Sequence, residues 1–200
     1  MYNILKIAII GSSYSGKSCL CSAIANREVK KTYHHTIGID FVSKYIARTN
    51  MPMLKLNILD GSGDQKFSVI VFSYIQNCPL LLFCYDSECV QSFNGMVELY
   101  KLYEKNNYIK GKFIIIIETK MDSVNSNPIC HELGNTFSNI YNYPFIQVSA
   151  YNHKGISEII DMCYSFACKT MNIKKKVEIK PRVEVKPTLK KTLLYNCTIV

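Results

Sequence analysis

The chain has 200 residues, 48% of them apolar, which suits one globular domain with a sizeable core, and no apolar run approaches the roughly 20 residues of a membrane-spanning helix. Its net charge of +9 is unevenly placed: residues 172–196 hold eight Lys/Arg against Glu178 and Glu184, whereas the first 171 residues hold sixteen basic and thirteen acidic side chains. Charge gathered in a tail rather than on the fold disfavours a nucleic-acid partner and favours an anionic membrane surface.

The opening Met1-Tyr2-Asn3 carries no basic leader, so no signal peptide is expected, and Tyr2 in place of glycine excludes N-myristoylation. The apolar run Ile4–Ile10 reads as a buried strand. It leads into Gly11-Ser12-Ser13-Tyr14-Ser15-Gly16-Lys17-Ser18, a G-x-x-x-x-G-K-S phosphate-binding loop, and then into a helix over Gly16–Ala25. In that setting the backbone N–H groups of Ser13, Tyr14, Ser15, Gly16, Lys17, Ser18 and Cys19 turn inward around phosphate at a positive helix end. Lys17 is placed as a point charge on the outer phosphates, and Ser18 offers a hydroxyl to magnesium. The competing reading, a glycine-punctuated turn with an exposed lysine, loses to the flanking strand and helix.

Further strands are expected at Phe41–Ala47, Leu54–Leu59, Leu80–Tyr85, Phe113–Ile117 and Phe145–Val148. The turn-rich Arg48–Pro52 makes the second and third an antiparallel hairpin. Helices fit at Phe67–Gln76, Ser92–Glu104, Pro128–Phe137 and Gly155–Met171, the last with Ile156, Ile159, Ile160, Cys163 and Phe166 at helical spacing. Alternating strands and helices predict an α/β fold: a six-stranded, mostly parallel sheet with helices on both faces. After Met171, Lys174-Lys175-Lys176, two prolines and alternating Val/Lys cannot build a second core, so 172–200 reads as a flexible tail. The nine cysteines form no C-x-x-C pair or Cys/His cluster and read as reduced thiols of a cytosolic protein.

With the phosphate loop at one end and a cysteine-terminated tail at the other, residues 4–170 resemble the Ras superfamily of small GTPases, and most closely the Rab family. The resemblance rests on several motifs in order. Tyr33-His34-His35-Thr36-Ile37-Gly38-Ile39-Asp40-Phe41 is similar to the Rab switch I segment. It implies that Tyr33 and Thr36 contact nucleotide and that Thr36 also ligates magnesium, ordering the loop in the triphosphate state. His34 and His35 read as exposed loop histidines rather than a metal or pH-sensing pair. Lys55 to Phe67 is similar to the Rab strand and switch II, which implies that Asp60 holds magnesium through a water and that the Gly63 N–H meets the γ-phosphate.

Where the family pattern has its water-orienting Gln, this chain has Asp64, with Gln65 one place later. A carboxylate accepts hydrogen bonds but donates none, and it brings negative charge to an anionic centre. With Lys17 and either Asp64 or Gln65 as the catalytic set, intrinsic hydrolysis is expected to be slow. A GTP-bound interaction protein without hydrolysis is the alternative.

Thr119-Lys120-Met121-Asp122 resembles the guanine-specifying Asn-Lys-x-Asp, with Asp122 accepting from guanine and Lys120 packing its stem along the base. This base choice disfavours an ATP-using enzyme. Thr119 replaces Asn, at some expected cost in loop bracing. Ser149-Ala150-Tyr151 resembles Ser-Ala-Lys without the lysine, and Val29 stands where an aromatic usually meets guanine. Weaker or faster-exchanging guanine nucleotide binding is therefore expected.

The effector face implied by the resemblance comprises Ile37, Gly38, Ile39, Asp40, Phe41, Leu59 and Tyr74, with Leu59 in place of a Trp. Cys197-Thr198-Ile199-Val200 fits the C-a-a-X prenylation signal, and Lys174–Lys176, Lys190 and Lys191 supply the second membrane signal. The expectation is a monomer that binds GTP/GDP and Mg2+. It would attach to the cytosolic face of a membrane through Cys197 and meet an exchange factor, an activating protein and effectors at its switches.

Overall fold

A computed structural model describes residues 3–30, 32 and 34–171. Tyr33, the tail over 172–200 and its Cys197 lie outside the described residues. Six strands alternate with five helices: β1 (Asn3–Ile10), α1 (Lys17–Ile24), β2 (Ile39–Ile46), β3 (Leu54–Gly61), α2 (Ser68–Ile75), β4 (Leu80–Asp86), α3 (Val90–Lys105), β5 (Phe113–Thr119), α4 (Pro128–Tyr141), β6 (Phe145–Gln147) and α5 (Ile156–Thr170). The sheet order is β2-β3-β1-β4-β5-β6. Only the β2–β3 pair is antiparallel; the other pairs run parallel.

Near-continuous apolar runs in β1, β4 and β5 follow from burial on both faces, as parallel sheets require. Alternate residues divide between two cores. Leu5, Ile7 and Ile9 with Leu82 and Cys84 meet α1 and α5, which bring Leu20, Ile24, Ile159 and Cys163. Ala8, Ile10, Leu81, Phe83 and Tyr85 meet α2, α3 and α4, which bring Val71, Met96, Tyr100 and Phe137. Among the described residues no helix is long and apolar enough to cross a membrane. The eight described cysteines are all free, and burial pushes the Cys78 and Cys163 thiols up to about 11 and about 12. These thiols serve packing.

Three strands run further at their carboxyl ends than hydropathy predicts. β3 continues past Leu59 to Gly61, β4 past Tyr85 to Asp86, and β5 past Ile117 to Thr119. The ladder carries the polar ends: Asp60 pairs with Ile9 and Asp40, and Thr119 with Asp86. These extensions deliver polar side chains to the carboxyl end of the sheet, where open α/β folds place ligands.

Helix α4 packs a glycine against the second core. A Cβ on Gly134 would run into the Tyr85 hydroxyl and lie 2.8 Å from its ring Cζ. Tyr85 is fully buried and donates to the Cys130 carbonyl at 3.0 Å. Gly134→Ala is therefore expected to cost about 3 kcal/mol, from overpacking plus a lost hydrogen bond, and to lower Tm by roughly 6–12 °C. A melt within two degrees of wild type would contradict this.

Candidate functional site

The loop between β1 and α1 turns on Gly16, whose φ of 77° suits a residue without a Cβ, and it opens the α1 N-terminus toward a cleft of about 920 Å3. Lys17, the first residue of α1, is only 7% exposed. Its Nζ donates to the Ser12 carbonyl at 2.7 Å and to Ser15 Oγ at 3.4 Å, so the charge lies in the hollow of the loop. Burial pushes the Lys17 amine below its ordinary pKa, against the pull of Asp60 and Cys84. Ser15 is fully buried and bonds the Ser12 carbonyl at 2.8 Å, while Ser13, Tyr14, Gly16, Ser18 and Cys19 line the cleft.

Three oxygens gather beside Lys17. Ser18 Oγ lies 3.1 Å from Thr36 Oγ1, which draws the 34–38 segment over the loop. Asp60, at the end of β3, is 3% exposed, and its Oδ1 is buried with no hydrogen-bond partner. Burial raises the Asp60 carboxyl, opposed by Ser18 and Lys17. A buried acceptor lacking a donor, with two hydroxyls at hand, fits a hard divalent cation such as Mg2+. Gly63 packs so tightly on the phosphate loop that a Cβ would meet the Ser13 N–H and lie 2.6 Å from the Ser12 carbonyl carbon. A larger residue there would push the loop away.

The other end of the cleft is polar and braced. Ser149, fully buried, donates to Asp122 Oδ1 at 2.6 Å and accepts from the Asn152 N–H at 3.1 Å, which fixes the carboxylate. Lys120 Nζ bonds Asp86 Oδ2 at 2.6 Å, holding the lysine stem along the cleft wall. Thr119 itself supplies a brace. Thr119 Oγ1 lies 2.9 Å from both the Ser15 and Tyr85 carbonyls, so a single hydroxyl ties the base-end loop to the phosphate loop. Ala150 and Tyr151 line this end, whereas Val29 packs against the α1/α5 core and not along the cleft.

Comparison with known proteins matches this chain to a family. A model of the Ras family matches residues 6–169. The chain belongs to the Ras family.

Among its relatives are the Ras-related protein RABD1 of Arabidopsis thaliana, 29% identical over 175 residues, 87% of this chain and 81% of the relative. The Ras-related protein Rab-1D of Dictyostelium discoideum is 30% identical over 159 residues, 76% of this chain and 74% of the relative. GTP-binding protein ypt1 of Schizosaccharomyces pombe is 28% identical over 156 residues, with coverages of 78% and 75%. The sheet is accordingly that of a P-loop GTPase G domain, and this Ras-family protein resembles Rab proteins throughout it.

In this Ras-family protein Asp64 caps a single 3-10 turn over Gln65–Phe67. Its Oδ1 accepts from the Lys66 N–H at 3.0 Å, which chiefly holds the carboxyl below its ordinary pKa. Its Oδ2 lies 3.4 Å from His35 Nε2. Neither Asp64 nor the exposed Gln65 lines the cleft; His35 does. His35 is an exposed loop residue, as expected, and its contact with Asp64 joins the segment before β2 to the turn after β3. His34 meets Thr32 Oγ1 at 3.2 Å.

The surface beside the site also differs in one place from expectation. Ile37, Asp40, Phe41 and Tyr74 are exposed, Gly38 turns the chain at a φ of 74° and Ile39 packs against the second core. The Phe41 and Tyr74 rings meet edge to face at 5.4 Å. Leu59 is only 5% exposed and packs in the second core with Val71 and Ile75, so it underlies this face without reaching its surface. Residue reading passed over Asp86, which holds Lys120, and the Ser12 carbonyl, which holds Lys17. Asp86 carries the same mark as Asp60, an acid closing an apolar strand. The Ser12 carbonyl has no signature in a side chain.

Proposed function

We infer that this protein is a Rab-like switch of membrane traffic that binds GTP and GDP, with a G domain over residues 1–171 and a membrane-attachment tail over 172–200. One observation carries the reading: a single cleft joins the buried Lys17, the Ser18–Thr36–Asp60 oxygens and an Asp122 carboxylate braced by Ser149. That set suits a triphosphate at one end and a base with adjacent N–H donors at the other.

Ser18, Thr36 and Asp60 would hold Mg2+, which when bound supplies positive charge at the β- and γ-phosphates. Lys17 and the loop N–H groups hold the same oxygens, and Asp122 accepts from guanine. In hydrolysis a water oxygen bonds to the γ-phosphorus as the bond from that phosphorus to the bridging oxygen breaks. GDP leaves with that electron pair, one of the water's two protons stays on the new phosphate oxygen and the other passes to solvent. Asp64 supplies no donor to this centre, so the step is slow and calls on an external activating protein. Exchange factor and effectors would meet the exposed Ile37, Phe41 and Tyr74. Prenylated Cys197 and the tail lysines would hold the protein on the cytosolic face of a membrane.

A second reading, a long-lived GTP-bound interaction protein, draws support from the engagement of both Asp64 oxygens outside the cleft. Under either reading GTP should bind at least 10²-fold more tightly than ATP in the presence of Mg2+. Asp122→Ala should weaken GTP by about 10²-fold, the size of two charge-assisted hydrogen bonds, and leave ATP unchanged. Equal affinity of wild type for the two nucleotides would sink the guanine assignment.

A further inference from the structure

Glu118, in β5, takes no part in the cleft, yet it is 1% exposed and its Oε1 is buried with no hydrogen-bond partner. The nearby Tyr85 hydroxyl spends its hydrogen on the Cys130 carbonyl at 3.0 Å. Among the described residues the ion-pair partner of Glu118 is His131 of α4. His131 Nδ1 lies 3.0 Å from Glu118 Oε2, and Gln147 Nε2 of β6 lies 2.9 Å from the same oxygen. The two nitrogens are themselves 3.0 Å apart, so three polar atoms from three elements form a nearly equilateral triangle. No placement of protons satisfies all three sides. With a hydrogen on Nδ1, both nitrogens donate to Glu118 and the third side sets donor against donor. Without it, the Nδ1 lone pair faces the carboxylate. Turning the amide over brings its carbonyl oxygen to that corner and sets acceptor against acceptor. A cation above the triangle satisfies every corner at once, because carboxylate, imidazole lone pair and amide oxygen can all point toward it.

We propose that Glu118, His131 and Gln147 form a binding site for a divalent transition-metal ion such as Zn2+, separate from the Mg2+ position at Ser18 and Asp60. The corners are close to the spacing of about 3.3–3.4 Å that ligand atoms keep around a tetrahedral ion with bonds of about 2.0–2.1 Å. Nitrogen and oxygen donors of this kind suit zinc. Among the described residues no three His, Cys, Asp or Glu side chains form a metal-ligating group, so the Gln147 amide is needed as the third ligand. The His131 ring leans on Phe145, with centroids 5.4 Å apart, which fixes its direction. Its side chain is 47% exposed, which leaves a way in from solvent and room for a water as fourth ligand. The ion also supplies the positive charge that the buried Glu118 carboxylate lacks. The site stands at a joint of the fold. The Glu118 carbonyl accepts from the Val148 N–H at 2.8 Å, and the Val148 carbonyl accepts from the Met121 N–H at 3.1 Å. Ser149, the next residue, braces Asp122. A bound ion would thus tie β5, β6 and α4 together directly before the loop that carries Asp122, without touching nucleotide.

The experiment titrates the full chain with Zn2+ by calorimetry, in excess Mg2+, and melts it at each Zn2+ concentration. Wild type should take up one Zn2+ more than His131→Ala, a truncation on the exposed side of α4 that leaves the core intact. At a hundredfold excess over Kd, Zn2+ should raise the wild-type Tm by roughly 5–10 °C more than that of His131→Ala. Gln147→His completes a set of two imidazoles and a carboxylate, a common zinc set, and should lower the Zn2+ concentration at half-saturation. With Co2+ as the probe, the difference spectrum between wild type and His131→Ala should show d–d absorption and no sulfur-to-cobalt band. Equal uptake by wild type and His131→Ala overturns the proposal, as does a Gln147→His chain that binds no tighter than wild type. A sulfur-to-cobalt band in the difference spectrum overturns it too, since the ion would then sit on cysteine.

Discussion

Single-turnover hydrolysis of preloaded Mg·GTP is expected to be slow in wild type and about 10²–10³-fold faster in Asp64→Gln, the usual effect of one well-placed donor on a developing anionic oxygen. The geometry supports this direction. One Asp64 oxygen is committed to the Lys66 N–H and the other lies 3.4 Å from His35, so the side chain faces its own turn and not the phosphate end of the cleft. A glutamine amide is longer and can accept from water while donating to a phosphoryl oxygen. The substitution gives up the side-chain cap of the Gln65–Phe67 turn, at about 1 kcal/mol, a modest local loss. If wild type hydrolyses at the rate of the variant, Asp64 is no block. A drop in wild-type rate on Gln65→Ala or His35→Ala would then identify which neighbour orients the water.

Lys17→Met is expected to act with opposite signs on binding and on stability. Removing the cation should weaken Mg·GTP by roughly 10²-fold, because charge-assisted hydrogen bonds to phosphate in a shielded loop are lost. The nucleotide-free chain should nevertheless melt about 2–4 °C higher. Lys17 is buried, and among the described residues its amine meets a carbonyl and a hydroxyl rather than a carboxylate. Its folded pKa is lowered by desolvation. The folded state therefore bears the cost of the charge at neutral pH, and that cost fades as pH rises through the lowered folded value toward the ordinary one. Wild-type stability without nucleotide should rise over that alkaline window, and the rise should be missing in Lys17→Met. Calorimetry of the two proteins across pH reads both effects. A lower Tm in the variant would show that Lys17 stabilises the empty fold and would refute the trade-off.

Much of this protein was set by sequence alone, because the determinants are local. Ile7–Ile10 is an unbroken apolar run, buried on both faces, which suits a central parallel strand. The glycines, Lys17 and Ser18 of the phosphate loop work through backbone angles and charge within eight residues, and Asp60 and Asp122 follow apolar strands directly. The tertiary structure decided what depends on groups far apart in the chain. Thr119 braces a loop 104 positions away, Lys120 finds Asp86, and His35 finds Asp64. Leu59 sinks beneath α2 instead of standing with Phe41 and Tyr74, since its burial depends on a helix that follows it. Tyr151 finds the Lys30 carbonyl 121 positions away. Spacing and composition determine which chemistry a segment can perform, whereas a hydrogen bond of about 3 Å exists only after the sheet has brought its two ends together.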